Sequence, residues 1–237
     1  MAYEFCSVAI EDHLMIVTIN RPEVMNAIHP PASRELAGVF DEFDANSQLW
    51  VGIVTAAGDR SFSAGNDLKY QASGAEMNWP ATGIAGLTRR DNLTKPLIAA
   101  VNGAALGGGF TIALACDLIV AAEHAVFGLP EPRFGLAAIN GGLARLPRQI
   151  GLKAAMGLAL TGRQVSAAEG QQLGFVNEVV PKETLMPTAR RWAEMILECS
   201  PLAVQATKEV LERGVEYPTV ADALAAHYPQ VEKLTKS

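Results

Sequence analysis

The chain has 237 residues, of which 49% are hydrophobic and 19% charged. That is enough apolar material for one large buried core, and it excludes wholesale disorder. Nineteen Lys and Arg against 25 Asp and Glu leave a formal net charge of -6, which argues against a nucleic-acid partner, because phosphate backbones need a cationic surface.

The opening, MAYEFCSVAIED, carries acidic residues early and no basic segment followed by an apolar run, so it does not read as a signal peptide. HLMIVTIN (13–20) alternates as a strand, and NRPEVMN (20–26) punctuates it with turn residues. From 32 to 46, Leu36, Val39, Phe40 and Phe43 recur at helical spacing with charges opposite. VGIVTAA (51–57), PLIAAV (96–101) and LIVAA (118–122) read as buried strands. Between the first two lies a Gly-, Ala- and Pro-rich loop, 71–88, expected to be a mobile lid. Strands alternating with helices predict an α/β fold with crossover connections. Beyond Gly151 the segments 152–162, 166–174, 184–198 and 201–214 all read as short amphipathic helices. Ser166 and Glu169 form a capping box for the second of these, and Gly174 ends it. A sheet-containing segment, 1–150, is therefore expected to precede an all-helical one, 151–237.

Cys6, Cys116 and Cys199 lie far apart, without a CxxC pair or Cys/His ligand spacing, and read as reduced thiols; no metal is expected. The longest apolar stretch, 113–122, is interrupted by Cys116 and Asp117 and is too short to span a bilayer. A cytoplasmic protein with no membrane partner is expected.

Three segments carry candidate chemistry. FSAGNDLKY (62–70) follows a strand, and VNGAALGGGFTIALACD (101–117) runs from strand through three glycines, 107–109, into a helix. Glycines at a helix start leave backbone N–H groups unshielded, which suits an anion; they also permit close helix–strand packing. Neither the P-loop nor the dinucleotide pattern fits, since Phe110 and Thr111 follow the glycines. A transient oxyanion suits such amides better than a phosphate. In VFGLPEPRFGL (126–136), Glu131 sits between prolines and among Phe127, Leu129, Phe134 and Leu136. It is either a desolvated carboxylate fit for proton transfer or a surface partner of Arg133.

NRPEVMNAI, FSAGNDLK, KPLIAAVNGAALGGGFTIALACDLIVAAE, FGLPEPRFGL and TGRQVSAAEGQQLGFVNEVVP together resemble the crotonase, or enoyl-CoA hydratase/isomerase, family, in order from about residue 8 to residue 213. The resemblance implies repeated ββα units with a C-terminal helical trimerisation region, assembled as a homotrimer or a dimer of trimers. It implies an acyl-CoA thioester substrate, with CoA as part of that substrate and no separate cofactor. It places the oxyanion donors at the amides of Asn66 and Gly108. Ala64, Leu68, Met25, Ala27, Tyr70 and Phe134 fall near the substrate, and Glu131 matches one of two hydratase glutamates. The other matches Thr111, whose hydroxyl is expected to face the site but holds no proton reserve at neutral pH. Hydration of a 2-enoyl-CoA, double-bond isomerisation by Glu131 alone, and non-catalytic acyl-CoA binding all remain open. Members usually continue past the position of Ser237 with another helix and a basic tail. Asp67 and Asp117 read as turn-capping residues, the four histidines as structural, and Lys95 as solvent-facing.

Overall fold

The computed structural model describes residues 3–237; Met1 and Ala2, which begin both the opening stretch read for a targeting signal and the segment 1–150, lie outside the described residues. The elements in chain order are β1 (Cys6–Glu11), β2 (Leu14–Ile19), α1 (Pro30–Ala45), β3 (Val51–Ala56), β4 (Ser61–Ser63), α2 (Leu68–Ala72), β5 (Leu97–Val101), β6 (Ala104–Leu106), α3 (Gly108–Leu114), β7 (Leu118–Ala122) and β8 (Val126–Gly128). They continue with α4 (Gly142–Ile150), α5 (Leu152–Thr161), β9 (Gln164–Ser166), α6 (Ala167–Leu173), β10 (Glu178–Val180), α7 (Leu185–Leu197), α8 (Pro201–Gly214), α9 (Val220–Ala225) and α10 (Pro229–Thr235).

Two sheets organise these elements. The larger has the order β1-β2-β3-β5-β7-β10 and the smaller β4-β6-β8-β9. β3, β5 and β7 each enter the large sheet, and the strand that follows each of them, β4, β6 or β8, turns into the small one. Each pair then leads into helical structure, so the chain repeats a ββα unit three times. Pairing is parallel from β2 to β10 and from β4 to β8, whereas the outermost β1–β2 and β8–β9 pairs are antiparallel.

Strands β2, β3, β5 and β7 of the large sheet are buried on both faces, which explains their unbroken apolar runs. Alternate residues serve different cores: Val54, Ala99, Val101 and Ala121 pack with α1, α3 and the small sheet. Ile53, Ile98, Ala100 and Val120 pack against Leu185, Ala189 and Ala193 of α7. In the first core Phe110 of α3, Phe127 of β8 and Phe175 after α6 form a triangle with ring centroids 5.0 to 5.3 Å apart. This triangle pins α3 onto the small sheet. Phe110→Ala is expected to cost about 3–5 kcal/mol, read by denaturant unfolding, because it opens a void between three fully packed rings.

The tail differs from the all-helical expectation. β9 pairs with β8 and β10 with β7, so the segment after Gly151 returns to both sheets. Three-residue strands such as QVS and EVV are too short to show a period of two; only the neighbouring strands select them. The expected lid is also shorter than 71–88, since Ile84, Ala85, Leu87 and Thr88 are buried and Ala85 N–H donates to Ser33 Oγ on α1 at 3.0 Å. Lys95 is 5% exposed rather than solvent-facing. Its ammonium donates to the carbonyls of Phe43, in the last turn of α1, and of Asn46, its C-cap, at 2.6 and 2.7 Å, where a helix end offers acceptors and favours a cation.

Candidate active site

Three adjacent parallel strands of the small sheet deliver the candidate residues. β4 pairs with β6 through Ser61↔Ala104 and Ser63↔Ala105, and β6 pairs with β8 through Ala105↔Phe127 and Leu106↔Gly128. Asn66 lies just beyond the carboxyl end of β4, Gly108 beyond β6 and Glu131 beyond β8. Residues scattered over 66 positions thus meet because their strands are neighbours. The carboxyl ends of parallel strands are where open α/β sheets build sites.

The loop after β4 and the start of α3 touch. A β-carbon on Gly108 would lie 3.5 Å from Asn66 N, and one on Gly109 would run into the Ser63 carbonyl. Gly109 is therefore a packing residue, while the N–H groups of Asn66 and Gly108 have no acceptor among the described residues. The packing reading of the glycine run therefore holds at Gly109, whereas Gly108 keeps a free N–H. Phe62 and Ser63 anchor the strand end: both are fully buried, and Ser63 Oγ donates to Asn26 O at 2.8 Å while accepting from Gly65 N at 3.1 Å.

Glu131 opens a short 3-10 turn, Glu131–Phe134. Its Oε1 lies 3.1 Å from where a β-carbon on Gly107 would stand, next to the peptide that carries the Gly108 amide. Oε2 is buried without a hydrogen-bond partner, and burial pushes the Glu131 carboxyl pKa up from its ordinary value. Arg133 does not pair with it; the Arg133 guanidinium donates to Thr161 O at 3.2 Å. A desolvated carboxylate with an idle oxygen is suited to moving a proton near neutral pH.

Thr111 differs from expectation. It is 1% exposed, and its hydroxyl donates to Gly107 O at 3.1 Å, turned back along its own helix rather than open to the site. The other sequence-derived positions surround the centre to different degrees. Ala64 N–H donates to Met25 O at 3.0 Å, which ties the 25–28 loop to the donor loop. Ala27 is buried, and its carbonyl accepts from Arg21. Leu68 and Phe134 are exposed. Tyr70 lies on α2 with its ring edge-on to His29, centroids 4.9 Å apart, and makes no hydrogen bond to Glu131 or Thr111 among the described residues.

Sequence reasoning missed the clamp behind the site. Arg21 and Asp67 form an ion pair at 3.0 Å with side chains 13% and 7% exposed. Asp67 Oδ1 also caps α2 by accepting from Tyr70 N at 3.0 Å, so its turn-capping reading holds, with an ion pair added. These contacts, and the Asn26 amide bonded to Ala57 O and Ser61 O, weld NRPEVMN to FSAGND. The motif residues themselves were the available signal. Gly65 lies within FSAGND, but its contact with Gly108 is set only by the fold.

No group of three or more metal-ligating side chains occurs among the described residues, and none of their helices is long and apolar enough to cross a membrane.

Comparison with known proteins gives the family and the fold. The profile of the family described as "Enoyl-CoA hydratase/isomerase" matches residues 9–237. Carnitinyl-CoA dehydratase of Escherichia coli strain K12 is 41% identical over 226 residues, 92% of this chain and 86% of the relative. Mevalonyl-coenzyme A hydratase sidH of Aspergillus fumigatus is 43% identical over 218 residues, 90% of this chain and 80% of the relative. Among solved structures, enoyl-CoA hydratase EchA1 from Mycobacterium marinum superposes with a TM-score of 0.91 at 41% identity, covering 98% of this chain and 91% of that one. The repeated ββα units are thus the crotonase fold, and the chain belongs to the enoyl-CoA hydratase/isomerase family of enzymes.

Proposed function

We propose that this enzyme adds water across the double bond of a 2-enoyl-CoA thioester and catalyses the reverse elimination. The observation that carries the reading is the half-buried Glu131 carboxylate beside the Gly107–Gly108 peptide, its Oε2 buried without a hydrogen-bond partner. The relatives' names, hydratase and dehydratase, denote the two directions of one reaction and support it.

The thioester oxygen accepts from the N–H groups of Asn66 and Gly108. Ionised Glu131 takes a proton from water as its oxygen bonds to Cβ, and the π electrons move onto the thioester oxygen as an enolate. Glu131 then gives its proton to Cα, the enolate collapses, and the carboxylate is regenerated with one water added. Donors aimed at charge that appears only in the transition state are what accelerate such a step. CoA belongs to the substrate, and no step needs a further cofactor.

A second reading, double-bond isomerisation by Glu131 alone, is favoured by the Thr111 hydroxyl, whose proton is engaged by Gly107 O and so is not offered to a water. Incubation with 2-enoyl-CoA and 3-enoyl-CoA separately, read by mass spectrometry, separates the two. A gain of one water from the 2-enoyl thioester is the expected result. A product of unchanged mass with a shifted double bond would favour the isomerase. Binding without turnover of either would overturn both in favour of an acyl-CoA-binding subunit.

The assembly proposed is a cytoplasmic homotrimer or dimer of trimers. Phe134, Leu136, Ile139, Leu152, Met156 and Leu160 are all exposed along the 131–139 turn and α5, an apolar surface that a second copy would cover. The cysteines are free thiols, which fits a reducing compartment.

A further inference from the structure

Each proposed oxyanion donor is one end of a peptide unit whose other end is held. The Asn66 N–H shares its plane with the Gly65 carbonyl, which accepts from Ile28 N at 2.7 Å. The Gly108 N–H shares its plane with the Gly107 carbonyl, which accepts twice from one residue: from Thr111 N at 3.0 Å and from Thr111 Oγ1 at 3.1 Å. We propose that Thr111 is a positioning residue for the Gly108 oxyanion donor, acting through the Gly107 carbonyl rather than on the substrate. This rests on the oxyanion hole of the proposed function.

The physical case has three parts. A peptide unit is planar, so fixing the direction of its C=O fixes the direction of its N–H. A donor on the carbonyl also polarises the unit and strengthens its N–H as a donor in turn. The hydroxyl is confined as well: Thr111 is 1% exposed, and a β-carbon on Gly142, the first residue of α4, would lie 2.7 Å from Oγ1. Threonine hydroxyls commonly bond the carbonyl four residues back in a helix, and that alone implies no function. Here the bonded carbonyl belongs to the one peptide of α3 whose N–H is the candidate donor. Its N–H has no acceptor among the described residues.

The test uses Thr111→Val, which keeps the shape and loses the donor, and Thr111→Ser, which keeps the donor. Thr111→Ala is carried alongside, so that a folding defect in one variant leaves another readable. The probe is the CoA thioester of a 4-aminocinnamic acid, whose absorption moves to the red as its carbonyl is polarised. The wild-type protein is expected to shift the bound probe, and Thr111→Val to shift it less. With 2-enoyl-CoA, Thr111→Val is expected to lower kcat about three- to tenfold, the worth of one ordinary hydrogen bond, with KM within about twofold. Thr111→Ser is expected to return both readouts toward wild type. A merely structural threonine would alter stability without moving the probe spectrum. Thr111→Val with wild-type spectrum and kcat, or Val and Ser variants that behave alike, overturns the role of Thr111 and leaves the hole intact. A wild-type protein that binds the probe without any red shift overturns the hole, and this proposal with it.

Discussion

Glu131→Gln is expected to turn over a 2-enoyl-CoA about 10²–10⁴-fold more slowly than wild type, the usual worth of one positioned acid/base, with thioester affinity little changed. Glutamine keeps the size and polarity of the side chain but cannot take a proton from water. Steady-state hydration kinetics alongside direct binding of a saturated acyl-CoA separate the two effects; undiminished turnover would remove Glu131 from the mechanism. The carboxylate must be ionised to act as a base, and burial raises its pKa. The acid limb of wild-type kcat/KM is therefore expected above the usual carboxylate range, and the residual activity of Glu131→Gln should lack that limb. Stability should move the opposite way. A carboxyl whose folded pKa is raised contributes stability below its unfolded pKa, and that contribution is lost as pH rises through the folded pKa. At neutral pH the ionised Glu131 is thus a burden on the fold. Glu131→Gln should melt higher than wild type at pH 7, with the difference vanishing in acid. Such an exchange of activity for stability is expected of a desolvated catalytic group.

Gly65→Ala is expected to lower kcat about 10²–10³-fold, the cost of losing one oxyanion donor. Gly65 has φ +84, and a β-carbon there would lie 2.6 Å from Gly108 N and 2.7 Å from Leu106 O. The methyl group would push the Gly108 amide away from Asn66, and both neighbouring atoms are backbone, which cannot turn aside. The strain of a positive φ needs its own control. Gly174→Ala supplies it: φ is +99 at the end of α6, and a β-carbon there would have nothing within 4 Å, hence no atom of Asn66, Gly108 or Glu131. Gly174→Ala should lose about 1–2 kcal/mol of stability through backbone strain and keep its kcat. Thermal melts and hydration kinetics on the two variants decide the matter; an active Gly65→Ala protein would mean that the hole tolerates displacement.

Much of this protein is legible in one dimension. The apolar runs at 51–57, 96–101 and 118–122 became β3, β5 and β7, because strands buried on both faces need no polar alternation. The Ser166 cap, accepting from Glu169 N at 3.1 Å, and the left-handed Gly174 that ends α6 are local chemistry, so they are read without knowledge of the fold. The glycine run and the carboxylate between two prolines likewise announce unusual backbone and unusual solvation. Tertiary structure decided what these features do. β4, β6, β8, β9 and β10 are three residues each, too short to signal themselves, yet the order of the first three brings Asn66, Gly108 and Glu131 to one end of a sheet. Lys95 is buried because the end of α1 offers it two carbonyls, and no pattern near residue 95 records that. Gly109 packs while Gly108 keeps its N–H free, a distinction set by where Ser63 lies across the sheet. Thr111 turned from the site because its own helix presents the Gly107 carbonyl at hydrogen-bond distance. Sequence by itself determined which residues have chemistry to offer, since that depends on side-chain type and nearest neighbours. Which atoms face one another depends on strand order and helix contact, and those are settled only when the whole core packs.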